Sequence, residues 1–88
     1  MRIKQGFVMR RVAGQTVIVA TGEAAEGFRG MIKVNEAGGE IWSALSEGLD
    51  EAAVAQRLTE RFEVSREVAE RDVAAFVERM RENGFLAG

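Results

Sequence analysis

The sequence predicts a small α+β domain in which a short three-stranded antiparallel sheet precedes three helices. Three observations predict it. Up to residue 34 the apolar residues form short, β-branched runs separated by glycines. From residue 35 onward they recur every three or four positions, the period of an amphipathic helix. Three good cap residues, Asn35, Asp50 and Ser65, stand at the heads of the helical stretches.

The elements follow in order. Phe7-Val8-Met9-Arg10-Arg11-Val12 is an apolar run with its arginines placed late. Thr16-Val17-Ile18-Val19-Ala20-Thr21 is a strand with threonines at both ends and a β-branched middle. Between them Ala13-Gly14-Gln15 signals a turn, so the runs form a hairpin with Gly14 at positive φ. Residues 22–30 form a loop with three glycines. Phe28, between two of those glycines, fits three roles: a plug for the core, a partner contact or a self-association contact. Met31-Ile32-Lys33-Val34 is the third strand, with Ile32 and Val34 on one face and Met31 and Lys33 on the other.

Asn35 caps the first helix, whose buried face is Ile41, Trp42 and Leu45, and Gly48 ends it. Gly38 and Gly39 in its first turns each cost about 1 kcal/mol against alanine. They mark either close backbone packing or a weak helix start. Asp50 caps the second helix, with Leu49 and Val54 at the spacing of a hydrophobic staple. Val54, Leu58 and Phe62 form its stripe. Glu63-Val64 connects to the third helix, about residues 66–83, capped by Ser65 and striped by Ala69, Val73, Phe76, Val77 and Met80. Glu67 with Arg71 and Glu78 with Arg81 have ion-pair spacing. Asn83-Gly84 stops the helix, and Phe85 and Leu86 fold back onto the core. This is the inventory of a winged-helix type of domain.

Composition narrows the chemistry. A chain of 88 residues makes one domain, residues 1–88, with a single small core and no deep ligand cavity. It has no Cys, His, Tyr or Pro. Disulfides, Cys/His metal sites and His- or Cys-based triads are therefore excluded. A carboxylate enzyme needs a cleft that shifts its pKa values, which a core this small rarely supplies. The expectation is a non-catalytic domain with no cofactor and no metal. No apolar run has the length of a membrane span, and Met1-Arg2-Ile3-Lys4-Gln5-Gly6 has no signal-peptide character, so a cytoplasmic location is expected.

Nucleic acid is disfavoured by charge. The third helix carries four arginines but also Glu67, Glu70, Asp72, Glu78 and Glu82, and the chain totals 12 basic against 14 acidic residues. Gly22-Glu23-Ala24-Ala25-Glu26-Gly27 has the glycines of a phosphate loop, but its carboxylates would repel a nucleotide and no Lys-Ser/Thr ending follows. The third strand has more functional content. A three-stranded sheet leaves edges, and an edge strand beside a helix makes a groove that accepts an extended peptide as an added strand. An edge merely blunted by Lys33 and the preceding loop fits the spacing equally well.

A resemblance bears on that choice. Gly30-Met31-Ile32-Lys33-Val34-Asn35-Glu36, then Gly38, Ile41-Trp42 and Leu45, resembles the centre of PqqD-like proteins. So do the opening Gly6-Phe7-Val8-Met9-Arg10-Arg11-Val12 and the closing Asp72-Val73, Phe76 and Asn83-Gly84-Phe85-Leu86. The likeness runs from about residue 6 to 86, and its Asn-Glu…Ile-Trp block is the most specific part. It implies a winged-helix-like domain that recognises ribosomally made, post-translationally modified peptides. The founding family serves biosynthesis of pyrroloquinoline quinone, and relatives serve lasso and other modified peptides. Such domains bind the leader segment of a precursor peptide as an extra strand beside the third strand. They then present it to a modifying enzyme, often a radical SAM protein.

Carried over residue by residue, the resemblance makes Met31, Ile32, Lys33 and Val34 the pairing strand. Asp72, Ala75, Phe76 and Arg79, neighbours by helical spacing, would line the pocket. Arg79 would pair a leader carboxylate and Phe76 would floor an apolar pocket, with core burial of Phe76 an equal reading. The alternatives are a winged-helix nucleic-acid binder and a regulatory module docked on a larger protein. A short sheet with a long loop also permits strand exchange, so the expected state is a monomer or a strand-exchanged dimer.

Overall fold

A computed structural model describes residues 2–4, 6–21 and 31–87. The expected loop at 22–30, with Phe28 and the glycine motif, lies outside the described residues, as does any strand exchange through it. The elements are β1 (Arg2–Ile3), β2 (Phe7–Val12), β3 (Gln15–Ala20), β4 (Met31–Val34), α1 (Glu36–Ser46), α2 (Glu51–Arg61), α3 (Arg66–Glu82) and β5 (Leu86–Ala87). Strands β2, β3 and β4 form one antiparallel sheet in that order, and three helices follow it. The α+β class and the order of its three strands and three helices are as the sequence predicts. No helix is long and apolar enough to cross a membrane among the described residues.

Local chemistry accounts for each helix end. The side chains of Asn35, Asp50 and Ser65 accept from the backbone N–H of Gly38 (2.7 Å), Ala53 (2.8 Å) and Val68 (3.1 Å), satisfying donors no helix can use internally. Both α1 and α3 close with the same device. Gly48 (φ +93°) donates to the Leu45 carbonyl while Leu49 donates to Ala44. Gly84 (φ +76°) donates to Arg81 while Phe85 donates to Met80. These are Schellman motifs, in which glycine takes the left-handed position and the next apolar residue is returned to the core.

The hairpin is tighter than its turn signal. Val12 pairs with Gln15, leaving only Ala13 and Gly14 in the loop, both at positive φ (52° and 80°), as a type I′ turn requires. The second strand accordingly starts at Gln15 and ends at Ala20. Thr21 lies beyond it, donating its N–H (2.6 Å) and hydroxyl (3.1 Å) to the Gly6 carbonyl.

The core lies between the inner sheet face and the helices. Ile18 and Ile32 supply the sheet side, and Ile41, Trp42, Leu45, Val54, Leu58, Val73, Val77 and Met80 the helical side. Gly39 faces the sheet with ordinary clearance: a Cβ there would meet Met9 Sδ at 3.5 Å and Thr16 Cγ2 at 3.7 Å. Of the two readings of the glycine pair, close packing holds at Gly38, where a Cβ would lie 3.2 Å from three neighbouring atoms, and not at Gly39.

The β1–β5 pair is an addition to the expected inventory. Arg2 pairs with Ala87 and Ile3 with Leu86, and Lys4 donates to the Phe85 carbonyl at 2.8 Å. Phe85 is fully buried, its ring 4.3 Å from Phe7 and edge-on to Trp42 at 6.0 Å. Two-residue strands at opposite ends of a chain carry no periodicity to read.

Charge pairing also differs in part. Glu78–Arg81 forms at 2.9 Å, but Glu67–Arg71 does not. Arg66 pairs with Glu70 at 3.1 Å instead, and its guanidinium also donates across to Gln56 (2.8 Å) and the Ala52 carbonyl (3.2 Å) on α2. Helices α1 and α2 are further joined by Arg57, which holds Glu47 through both carboxylate oxygens at 2.6 and 3.2 Å. Glu40 Oε1 stands 3.0 Å from Arg61 Nη1, an ion pair outside hydrogen-bond alignment.

Candidate functional site

Strand β4 pairs with β3 along one edge, through Thr16–Val34, Val17–Lys33, Ile18–Ile32 and Val19–Met31. It is last in the sheet, so its other edge has no strand partner among the described residues. An unpaired edge presents a row of backbone N–H and C=O groups able to pair with an added strand. Alternation sets the side chains. Ile32 is buried in the core and Val34 half-buried, while Lys33 and Met31 (53 % exposed) project to the other face.

One residue, Asn35, separates β4 from α1, so the first turn of α1 stands against the end of the strand. There Gly38 is closely packed: a Cβ would lie 3.2 Å from Val34 Cβ, Phe76 Cε2 and Asn35 Oδ1, which would have to give way slightly. The third wall is α3, where Asp72, Ala75, Phe76 and Arg79 occupy i, i+3, i+4 and i+7 and hence one face. The space between is an open groove of about 460 Å³. Its lining is Lys33, Val34, Asn35, Ala37, Gly38, Ile41, Asp72, Ala75, Phe76 and Arg79.

The groove thus brings Lys33, Val34, Asp72, Ala75, Phe76 and Arg79 together. It does not include Ile32, whose side chain belongs to the core, or Met31, further back along the strand. Phe76 is 8 % exposed, part of the core, and also lines the groove. Asn35, Ala37, Gly38 and Ile41 were not expected in the lining. The available signal was the abrupt passage from strand to capped helix, which forces the α1 start beside the strand end. A shallower depression of about 510 Å³ adjoins the groove at Lys33, Val34 and Asn35 and runs toward Arg11 and Gly14 in the hairpin.

The groove suits an extended polypeptide. Its strand wall offers backbone groups, its floor is apolar, and its helix wall carries Asp72 and Arg79, exposed and without an ion pair among the described residues. No cluster of metal-ligating side chains occurs among the described residues.

The family model of PqqD, coenzyme PQQ synthesis protein D, matches residues 7–86, from the start of β2 into β5. The chain belongs to the PqqD family. Two solved structures resemble this PqqD-family chain over its length. Lasso peptide synthetase B1 complexed with the leader peptide is 29 % identical, with a TM-score of 0.77 covering 99 % of this chain and 96 % of that one. TbiB1 in complex with the TbiA(beta) leader peptide is 22 % identical and shares the fold, with a TM-score of 0.79 over 100 % and 96 % of the two chains. Among curated proteins none matches this chain.

Proposed function

We propose that this PqqD-family domain binds the leader segment of a ribosomally made precursor peptide by strand addition. The observation that carries this reading is the edge of β4, without a strand partner among the described residues, facing α3 across the groove. The leader pairs with the backbone of β4, and Val34, Ala75, Phe76 and Arg79 read its side chains. Met31 extends the pairing edge beyond the groove, and Ile32 contributes only its backbone. The domain is not an enzyme; it presents the held peptide to a separate modifying enzyme, such as a radical SAM protein. Family membership and the two leader-bound relatives support the reading. Nucleic-acid binding has less support, since Arg66 and Arg81 of α3 are engaged by Glu70 and Glu78.

The test is an amide-resolved NMR titration with the leader segment of a short peptide encoded beside the gene. Shifts concentrated at residues 31–35 and along 69–82 are expected. A folded domain whose amides do not move at millimolar peptide would exclude that peptide as ligand. Repeating the titration with duplex DNA, where no localised shifts are expected, checks the rival.

A further inference from the structure

We infer that Asp72 and Arg79 fix the direction in which a peptide enters the groove, by selecting leaders with a cation, an apolar residue and an anion at alternate positions. The inference rests on the strand-addition reading above. Backbone pairing discriminates poorly between the two directions along an edge, because parallel and antiparallel ladders differ only slightly in stability. Something else must choose, and the helix wall is asymmetric. Asp72 and Arg79 stand seven residues apart on one helix face, about 10 Å along its axis. Ala75 and the edge of Phe76 lie between them.

An extended peptide advances about 3.3 Å per residue, with every second side chain toward the same wall. Positions i, i+2 and i+4 therefore span about 13 Å, a length that the reach of the Arg79 side chain accommodates. The central position falls over the apolar floor and the outer two meet opposite charges. Neither charge is taken up by an ion pair within the described residues, so each is available to a ligand. Lys33 also lines the groove, from the strand wall, but its charge is common to the wild type and both variants below, so it cannot account for an order that changes between them. A matched peptide gains two attractions and a reversed one meets two repulsions. Exposed charges attract and repel weakly in water, so the two orders should differ by about tenfold in affinity at low salt. Screening should shrink that difference at high salt.

The experiment selects peptides from a displayed library of random 12-residue sequences. It uses the wild-type chain, the double swap Asp72→Arg with Arg79→Asp, and the neutral pair Asp72→Asn with Arg79→Gln. Both sites are exposed, and melting curves confirm folding. Wild-type selections should carry cation, apolar and anion at i, i+2 and i+4 in one order. The swap should enrich the opposite order, and the neutral pair should keep the apolar position and lose the order. Selected peptides that shift the β4 amides but show no charge order, or the same order with all three proteins, would overturn the inference and leave strand addition standing. If no selected peptide shifts those amides, strand addition fails and the inference fails with it.

Discussion

Ala13 holds φ at 52° in a position that nature usually gives to asparagine or glycine. The left-handed region costs an alanine about 1 kcal/mol, a cost asparagine partly avoids. Ala13→Asn should therefore stabilise the domain by roughly 0.5–1 kcal/mol, read as a higher urea midpoint at unchanged slope. The two helix-start glycines make a second residue-level contrast. Alanine is worth about 1 kcal/mol over glycine in a helix. At Gly39 the nearest atoms are at ordinary contact distance, so Gly39→Ala should realise most of that gain. At Gly38 the new methyl would press on Phe76, Val34 and the capping oxygen of Asn35, all at 3.2 Å. Gly38→Ala should yield no gain, and in the leader titration it should weaken binding by displacing the groove floor.

Among the elements, α1 and α2 are coupled electrostatically by Glu47 and Arg57. The guanidinium hydrogen bond holds the Glu47 carboxyl below its ordinary value of 4.5. A carboxyl lowered on folding contributes stability that is complete above its unfolded value and is lost as pH falls through its folded value. The melting-temperature gap between wild type and Glu47→Gln should thus be constant above about pH 5 and close below 4.5. Glu47 is exposed and Arg57 half-buried at the surface, so the gap should be small and salt-sensitive. The helix boundaries needed none of this. The Asn35, Asp50 and Ser65 caps and the Gly48 and Gly84 stops are local chemistry, and each was legible from residue type and spacing. The helix wall of the groove was legible for the same reason, since residues 72, 75, 76 and 79 share a face on any α-helix. The wall from α1 was not, because which residues of a helix face a strand depends on how the two pack.

For the whole molecule, Phe85 is the closing piece. Its backbone caps α3 and accepts from Lys4, and its ring fills the space between Phe7 and Trp42. Truncating a buried phenylalanine costs about 3–5 kcal/mol, against a total of roughly 5–10 kcal/mol for a domain of this size. Phe85→Ala should leave a substantial unfolded population at 37 °C, seen as lost amide-shift dispersion. Phe85→Leu, which keeps most of the apolar volume, should remain folded with a lower melting temperature.

The sequence by itself determined the order of the main strands and helices, the caps and stops, and the residues of α3 that share the groove face. These follow from periods of two and 3.6 and from local backbone chemistry, which act over a few residues. The tertiary structure alone decided the β1–β5 pairing, the contribution of α1 to the groove and the diversion of Arg66 to α2. Each depends on segments brought together by burial of a shared core, whose separation along the chain leaves no periodic trace.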